Sequence, residues 1–434
     1  MTRSAQLNKL SLPSLLAAAL LLVGCQTKPG SHALGPAINP AAFMQDIETL
    51  THPDMEGRDA GSKGIELARD FIVDRFKSLG LEPAFIIDGE PSFTQPLQVR
   101  TGRDTEGKAI TTPVQNVGAI LPGVGELADE VVIIGAHYDH IGYGHYGSRD
   151  KEAKGHLHPG ADDNASGTAG MMMLADHFKR VSELKISPAQ PRRTIFFTGF
   201  AAEERGLIGS RFMVRHPEQW AFDAKKVSGM INLDMIGRLR NDDLYIFTDA
   251  TGKQFRPWIN EGNSRVGLNI KWDVRAPGGS DHVVFISAGM PAVFFNTFLH
   301  ADVHTPRDTA DKINGQGGAR VVQVVANLTE TAVTSPERIT FVPPKPRPPR
   351  PYLGVMLGNA EKGVAIDDVL EDGPMDKAGV MNGDVLLSIG GQAVNSPGDV
   401  RAFLAKSKPG TEVKAQIQRG EETLEITILL GIRR

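Results

Sequence analysis

The sequence predicts an α/β domain followed by a smaller, β-rich domain, and two features of the chain lead to this prediction. From about residue 80 to residue 340, short apolar runs alternate with stretches of helical periodicity, a pattern typical of an α/β sheet. Residues 341–351 then contain six prolines in eleven positions, which indicates a semi-rigid linker. We therefore expect one domain over residues 41–340 and a second over residues 352–434.

The composition is that of a globular protein and argues against several other classes. Of the 434 residues, 41% are hydrophobic and 23% are charged, which supplies enough apolar material for a core and argues against a disordered chain. A formal net charge of −4 gives no basis for general nucleic-acid binding. The single cysteine excludes an intramolecular disulfide and a cysteine-rich zinc knuckle, so a bound metal would need histidine and carboxylate ligands.

The first 24 residues have the pattern of a secretory signal peptide. A basic start precedes an apolar stretch over residues 10–24, which is too short and too early for a membrane-spanning helix. The stretch closes with Leu22-Val23-Gly24-Cys25, which resembles the lipobox of bacterial lipoproteins. This resemblance implies removal of residues 1–24, a lipid anchor on Cys25 and a tether over residues 25–40, at the periplasmic face of the outer membrane in the bacterial cell envelope. The alternative is an ordinary signal peptide with an accidental cysteine.

A helix is predicted over residues 62–79. Apolar residues recur there at helical spacing and form one stripe, made of Ile65, Ala68, Ile72, Phe76 and Leu79. Gly80 follows directly and is a typical stop signal at the carboxyl end of a helix. The pattern is that of an amphipathic helix with one buried face.

Residue types that bind metals follow four apolar runs that have the pattern of buried strands. The runs and the residues that follow them are 131–134 before His137 and Asp139, 194–197 before Glu203 and Glu204, 230–233 before Asp234, and 292–295 before His304. Between the first two runs, a polar turn over residues 160–167 contains Asp162 and opens a helix that continues through residues 171–178. Because ligands bind beyond the carboxyl ends of strands in open α/β sheets, we expect these loops to converge on one crevice.

This set of residues resembles the active site of the zinc-dependent exopeptidase family that contains aminopeptidase Y, bacterial secreted aminopeptidases, glutamate carboxypeptidase and glutaminyl cyclase. The resemblance covers residues 45–335 and implies a mixed, largely parallel central sheet flanked by helices, with two Zn²⁺ ions at its edge. The implied roles are His137 and Asp234 as ligands of one zinc, Glu204 and His304 as ligands of the other, Asp162 as the bridging carboxylate, Asp139 as the residue that orients His137, and Glu203 as the general base acting on a metal-bound hydroxide.

Physical chemistry agrees with such a ligand set. Zinc accepts imidazole nitrogen and carboxylate oxygen, and a catalytic zinc keeps one position open for water. A short carboxylate can bridge two zinc ions about 3.5–4 Å apart. Three ligating carboxylates and two neutral imidazoles leave a net positive charge on the pair of ions, which favours hydroxide over water and stabilises an oxyanion.

Several nearby residues have weaker assignments. Four histidines lie in the loop before Asp162 and are expected in a solvated, glycine-rich lid; they are His140, His145, His156 and His158. The alternative is that they line the site or bind adventitious metal. Asp281 matches a family position near the site, where it would support a ligand or bind the substrate amine. Asp308 is expected to cap a helix. The family also suggests a cis peptide bond between Asp162 and Asp163.

The residues after the linker resemble a PDZ domain of the kind found in bacterial envelope proteases. Leu353, Gly354 and Val355 match its carboxylate-binding loop, and residues 372–380 followed by 383–391 match its most distinctive stretch. The resemblance implies that a peptide adds a strand to this domain while its C-terminal carboxylate is held by loop amides. The alternative is a domain that packs against the catalytic unit and binds nothing.

Together, these features predict a lipid-anchored, co-catalytic zinc aminopeptidase that removes N-terminal residues from peptides in the bacterial envelope. A carboxypeptidase or dipeptidase of the same fold would share the metal ligands and stays an alternative. A glutaminyl cyclase, which catalyses a transferase reaction with a single zinc, is a further alternative. A non-catalytic protein that presents the PDZ domain is a rival from another class. The presence of Glu203 beside a complete ligand set argues against that rival, because a scaffold does not need a general base. No nucleic-acid partner is expected.

Overall fold

The computed structural model describes residues 37–103, 109–184, 190–274, 276, 279–345, 348–370 and 372–433. The predicted signal peptide, Cys25 and all but the last four residues of the predicted tether lie outside the described residues. Within the part of the chain that is described, no helix combines the length and the apolar character needed to cross a membrane.

The first domain is built on a central sheet. The strands of this domain are β1 (Glu82–Pro83), β2 (Phe85–Ile87), β3 (Glu90–Ser92), β4 (Thr94–Arg103), β5 (Ala109–Leu121), β6 (Val131–His137), β7 (Thr194–Phe200), β8 (Val227–Leu233), β9 (Asp243–Phe247), β10 (Asn269–Lys271) and β11 (Ala292–Asn296). Among the described residues, nine of these strands form one sheet in the order β1-β5-β7-β6-β8-β11-β9-β10, with β4 paired to β5, while β2 and β3 form a separate hairpin.

The sheet is mixed, as expected, and its centre is parallel. β6 pairs in parallel with β7 and with β8, and β8 pairs in parallel with β11. Antiparallel pairing begins at β5 on one side and at β9 on the other. The residues of β6, β7, β8 and β11 are all buried, which agrees with their continuous apolar sequences, because parallel strands in α/β domains are covered on both faces.

Helices flank the sheet and bury their apolar faces against it. They are α1 (Pro40–Leu50), α2 (Lys63–Ser78), α3 (Gly167–Glu183), α4 (Ile208–Arg215), α5 (Phe255–Asn263), α6 (His282–Ser287) and α7 (Gly315–Thr334). The prediction of α2 is confirmed: the Ser62 side chain caps it by accepting a bond from the Ile65 amide at 3.1 Å, and Gly80 has a positive φ of 63° just beyond its end. As predicted, α3 begins directly after an irregular turn, which covers Ala161–Ser166, and the helix continues through residues 171–178.

The second domain has a small antiparallel sheet and its own apolar core. Its elements are β12 (Arg350–Tyr352), β13 (Val355–Leu357), β14 (Val364–Val369), α8 (Pro374–Lys377), β15 (Val385–Ile389), β16 (Gln392–Ala393), α9 (Pro397–Lys406), β17 (Glu412–Arg419), β18 (Glu422–Leu429) and β19 (Gly431–Arg433). The strands run in the order β13-β14-β15-β17-β18, with β16 on β15, and β12 pairs with β19. In this arrangement of the described residues β13 is an edge strand, and it begins with Val355, the last residue of the predicted carboxylate-binding loop.

Each end of the proline-rich linker forms β-pairing with residues of a neighbouring domain. Phe341 forms an isolated β-bridge with Gly252, and the next amide, that of Val342, donates to the Thr251 carbonyl at 2.8 Å. At the other end, β12 pairs with the last described strand, β19. The linker therefore begins on the first domain and ends within the second.

The two domains also contact each other away from the linker. Arg100, on β4, donates to the carboxylate of Asp376 at 2.5 Å and to the carbonyl of Val369. The side chain of Leu370 lies against Gly206, so closely that a Cβ at position 206 would be 3.0 Å from its Cδ1. The second domain therefore touches the first domain beside the turn that carries Glu203 and Glu204.

Candidate active site

The four predicted strand ends meet at one edge of the sheet. β6 ends at His137, Glu203 and Glu204 follow β7 after a short turn, and Asp234 follows β8 directly. His304 follows β11 through a longer loop. Because β7, β6, β8 and β11 are neighbours with the same direction, their carboxyl ends share an edge and bring these five side chains together.

The metal-binding residue types form two groups, and the donor atoms of each group lie within 4.8 Å of one another. The first metal group consists of His137, Glu203 and Asp234, and the second metal group consists of His140, Asp163, Glu204 and His304. In the first group, His137 Nε2 lies 3.6 Å from Asp234 Oδ2. In the second, His304 Nε2 lies 3.1 Å from Glu204 Oε2. These are the two pairs that the family resemblance implies.

The carboxylate of Asp163, a member of the second metal group, also reaches the first metal group. One of its oxygens, Oδ1, is 3.5 Å from His137 Nε2, and the other, Oδ2, is 3.1 Å from His304 Nε2. A single short carboxylate thus reaches one histidine of each group, which is the geometry that a bridging ligand requires.

Asp162, for which the sequence predicts this bridging position, faces another way. Its Oδ1 accepts bonds from the Gly237 amide at 2.7 Å and the Ser166 hydroxyl at 3.0 Å, and its Oδ2 lies 3.1 Å from His300 Nε2. The irregular turn sends the two neighbouring aspartate side chains in different directions. The cis peptide bond likewise joins Asp163 and Asn164, one residue later than expected.

Asp139 lies closer to the turn that carries Glu203 and Glu204 than to the His137 ring. Its two oxygens accept bonds from the Glu203 amide at 2.9 Å and the Glu204 amide at 3.2 Å. The distance from Asp139 Oδ1 to His137 Nδ1 is longer, 3.7 Å.

The contacts of His304 show which of its nitrogens faces the metal group. Its Nδ1 lies 2.9 Å from the Gly147 carbonyl, so Nδ1 carries the proton and Nε2 is the nitrogen available to a metal.

The environments of the two adjacent glutamates push their pKa values in opposite directions. Burial raises the pKa of Glu203 well above its ordinary value, and the charge of Glu204 adds to this effect. Burial also opposes ionisation of Glu204, but His304 and His140 lower the pKa of Glu204 well below its ordinary value. One carboxyl is thus suited to exchange a proton while its neighbour stays an anionic ligand.

The loop between β6 and α3 is packed, which corrects the prediction of a solvated lid for two of its four histidines. His140 and His158 are fully buried, whereas His145 and His156 are exposed. His158 Nε2 lies 2.9 Å from the Ser148 hydroxyl. The loop is also glycine-rich, and Gly144 approaches the His158 ring so closely that a Cβ there would be 2.2 Å from its Cε1.

Asp308 and Asp281 lie close to the site without joining either metal group. Asp308 Oδ2 accepts bonds from the amides of Asp162 and Asp163, both at 3.0 Å, so it holds the turn that carries Asp163 instead of capping a helix at its own position. Asp281 is fully buried, and neither carboxylate oxygen has a hydrogen-bond partner among the described residues. Burial raises the pKa of Asp281 to about 7.

Arg58 is a supporting residue that the sequence analysis did not identify. It is fully buried, and its guanidinium donates to four main-chain carbonyls, those of Leu50, Tyr138, Pro159 and Gly160, at 2.6–2.9 Å. Tyr138 lies between His137 and Asp139, and Gly160 precedes the turn with Asp163. Arg58 therefore ties two ligand-bearing loops together. A side chain that bonds only to carbonyls leaves no recognisable spacing in a sequence.

Asn164 is a second supporting residue that the sequence analysis missed. Its amide nitrogen donates to the carbonyls of His137 at 3.3 Å and Leu233 at 3.0 Å, the last residues of β6 and β8. Its oxygen accepts bonds from the amides of Gly167 and Met235. Asn164 therefore fixes the turn of Asp163 onto both strand ends. Its place directly after the paired aspartates was the one available signal.

The donor atoms present suit two zinc ions. Imidazole nitrogen and carboxylate oxygen are zinc ligands, and both groups contain them in buried positions at one sheet edge. Asp234 Oδ1 is buried and has no hydrogen-bond partner among the described residues, which leaves an acceptor free for a cation. Asp163 supplies the shared carboxylate. His137, Asp234 and Asp163 would thus hold one zinc, and Glu204, His304 and Asp163 the other.

Comparison with known proteins agrees with this geometry. Residues 116–329 match the family model for Peptidase family M28, and residues 351–430 match that for the PDZ domain. A probable leucine aminopeptidase of Arthroderma otae is 32% identical over 209 residues, which are 46% of this chain and 52% of the relative. The leupeptin-inactivating enzyme 1 of Streptomyces exfoliatus is 27% identical over 314 residues, which are 71% of this chain and 58% of the relative. The chain thus spans little more than half the length of these curated relatives.

A solved structure shares the fold of the first domain. The zinc aminopeptidase BSAP of Bacillus subtilis aligns with a TM-score of 0.53 at 17% identity, over 70% of this chain and 97% of that one. At this identity the likeness concerns the fold alone. The sheet topology and the convergence of metal-binding side chains at its edge thus lie in a stretch that is similar to Peptidase family M28, and the stretch that follows is similar to the PDZ domain.

Proposed function

We propose that this protein is a co-catalytic zinc aminopeptidase, with Asp163 as the carboxylate shared by the two metals. The observation that supports this most strongly is the position of Asp163, 3.5 Å from His137 Nε2 and 3.1 Å from His304 Nε2, with Glu203 in the first metal group beside it. The assignment transfers the bridging role from Asp162, whose two oxygens are occupied by hydrogen bonds elsewhere.

The residues of the chain divide the chemistry among them. When bound, the two zinc ions would supply an activated water and polarise the scissile carbonyl. Glu203 accepts a proton from the attacking water on its carboxylate and returns it to the departing amine, so the proton count balances over one cycle. Glu204 remains ionised as a ligand. Asp139 keeps both glutamates in place through their amides.

The fold alone does not distinguish an aminopeptidase from a glutaminyl cyclase. The glutaminyl cyclase of Porphyromonas gingivalis aligns with a TM-score of 0.53 at 17% identity, over 68% of this chain and 99% of that one, the same score as the aminopeptidase BSAP. Curated relatives described as aminopeptidases favour the aminopeptidase. Since one is described as a probable leucine aminopeptidase, a leucyl peptide is the first substrate to test.

The experiment compares a leucyl dipeptide amide with its N-acetylated twin. An aminopeptidase requires the free amine and cleaves only the first compound. A carboxypeptidase would instead cleave an N-acetylated dipeptide with a free carboxylate, and a cyclase would release ammonia from a peptide with N-terminal glutamine. Cleavage of the acetylated amide at the same rate as the free amide would contradict the proposal.

For the PDZ domain, we propose that it captures the C-terminal carboxylate of peptide substrates. Its edge strand β13 pairs with β14 on one side, which leaves the other side for strand addition, and the loop with Gly354 precedes that strand. The linker limits the distance between the sites, at about 3.1 Å per extended residue. A captured tail would raise the concentration of the N-terminus near the metal groups.

This proposal predicts a difference between two long peptides of the same sequence. We expect the KM of the full-length enzyme for the C-terminally amidated peptide to be about tenfold higher than for the free acid, with similar kcat, because only the acid is held at both ends. A dipeptide amide, too short to reach both sites, serves as the control for intrinsic activity. Equal KM values for the acid and the amide would mean that the domain does not tether substrates and would favour docking to another envelope protein.

We also propose that the mature protein is held in the bacterial envelope by lipid on Cys25. The lipobox-like sequence before Cys25 supports this anchor. The variant Cys25→Ser is expected to leave uncleaved precursor or soluble protein, whereas the neighbouring variant Thr27→Ser is expected to fractionate like the wild type. Processed Cys25→Ser protein in the membrane fraction would overturn the anchor.

A further inference from the structure

His140 is a buried histidine that belongs to the second metal group but has no role in the proposed mechanism. Its side chain is fully buried, and its Nδ1 lies 2.9 Å from Glu204 Oε1. Its ring meets that of His304 edge to face, with 5.4 Å between the ring centroids. The family resemblance leaves it outside the ligand set. Its position therefore needs a separate explanation.

The contact with Glu204 determines which nitrogen of His140 carries the proton. A neutral imidazole has one N–H and one lone pair, and a carboxylate oxygen accepts but cannot donate. The 2.9 Å contact therefore places the N–H on Nδ1, directed at Glu204 Oε1. The other nitrogen, Nε2, is buried and has no hydrogen-bond partner in the described part of the chain. With the proton on Nδ1, this nitrogen carries the lone pair of the ring.

The His140 ring has little freedom to turn. Its amide donates to the Arg58 carbonyl at 3.2 Å, and its own carbonyl accepts from the Tyr146 hydroxyl at 3.2 Å. The ring packs on Gly160, where a Cβ would be 2.5 Å from its Cδ2. Only glycine allows this approach, and Gly160 also has a positive φ of 60°. The donor is thus presented to Glu204 from a fixed direction.

Glu204 is consequently held at two points. Its amide is bound by Asp139, and its Oε1 accepts the His140 N–H. Its other oxygen, Oε2, faces His304 Nε2 at 3.1 Å, on the side of the second metal group. We propose that His140 is a positioning residue, which fixes the rotation of the Glu204 carboxylate and thereby sets the zinc affinity of the second metal group. This inference rests on the proposed zinc sites and deepens them.

A competing role would make His140 itself a zinc ligand, since a donor atom of its ring lies within 4.8 Å of those of Asp163, Glu204 and His304. Two variants separate the roles. His140→Asn keeps an N–H donor near the position of Nδ1 and removes the imidazole. His140→Leu keeps similar bulk and removes the donor. His145→Leu, at an exposed histidine of the same loop, is the matched control.

The measurement is the zinc affinity of the folded full-length protein, titrated against a competing chelator. Wild type, His140→Asn and His145→Leu are expected to bind two zinc ions with similar affinities. His140→Leu is expected to lose about 10- to 100-fold in affinity at one site and to keep the other, the usual effect of removing a hydrogen-bond partner of a ligand. If the leucine variant does not fold, His140→Ala takes its place, because it removes the donor without adding bulk.

Two results would overturn the inference. Unchanged affinities in the variant without the donor would remove any role in positioning. An equal loss in His140→Asn would show that the imidazole is a ligand. Neither result depends on turnover. If the wild-type protein binds two zinc ions but does not cleave the leucyl dipeptide amide, the proposed aminopeptidase activity is contradicted. The zinc affinities of the His140 variants still test the inference on His140 in that case.

Discussion

Replacing Glu203 by glutamine is expected to lower kcat by about 10²- to 10⁴-fold while both zinc ions stay bound. The amide retains the shape of the side chain but cannot accept the proton of the attacking water. Burial raises the pKa of the Glu203 carboxyl, which makes its carboxylate a stronger acceptor for that proton. The measurement is single-turnover hydrolysis of the leucyl dipeptide amide together with zinc analysis of the same sample.

The neighbouring variant Glu204→Gln is the matched control for this result. Glu204 lies in the second metal group, 3.1 Å from His304 Nε2, and the amide would remove a ligand charge. We expect this variant to lose zinc as well as activity. Loss of zinc in Glu203→Gln and retention in Glu204→Gln would mean that the two roles are reversed.

A comparably large effect is expected from the change Asp163→Asn. Removing the shared negative charge weakens both metal groups at once, so the variant is expected to retain fewer than two zinc ions and to lose turnover. Asp162→Asn is the matched control, because its remaining oxygen can still accept the bonds from the Gly237 amide and the Ser166 hydroxyl. We expect it to keep both ions. The opposite pattern in zinc analysis would restore Asp162 as the bridge.

The sequence predicted the parts of the site that depend on strand order. Continuous apolar runs marked the buried parallel strands, and a parallel sheet places the residues after such runs at one edge. His137, Glu203, Glu204, Asp234 and His304 all came from this rule. The rule requires no knowledge of side-chain direction, because the five residues stand at or after the ends of four different strands. Only the two glutamates occupy neighbouring positions.

The strand-order rule could not decide which of the two paired aspartates faces the metals. Asp162 and Asp163 lie in an irregular turn with no repeating period, so their spacing does not indicate which side chain faces the metals. The choice is made by contacts from distant segments, including Gly237, His300 and Asp308. Such contacts depend on the completed fold.

Supporting roles were missed for a related reason. Arg58 and Asn164 act mainly on main-chain groups, and His140 acts on one ligand from within a loop. Asn164 had one signal, its place after the paired aspartates, and His140 had another, the second imidazole in His137-Tyr138-Asp139-His140. The burial of His140 could not be deduced from a glycine-rich loop. The contact of Arg100 with Asp376 was equally hidden, because each residue looks like an ordinary surface charge in its own domain.

The most direct test of the two-metal account is anomalous diffraction at the zinc edge from crystals of the full-length protein grown with zinc. The account predicts two peaks about 3.5–4 Å apart. One should lie beside His137 and Asp234 and the other beside Glu204 and His304, each about 2.0–2.2 Å from an oxygen of Asp163. A single peak, or two peaks joined by Asp162, would contradict it.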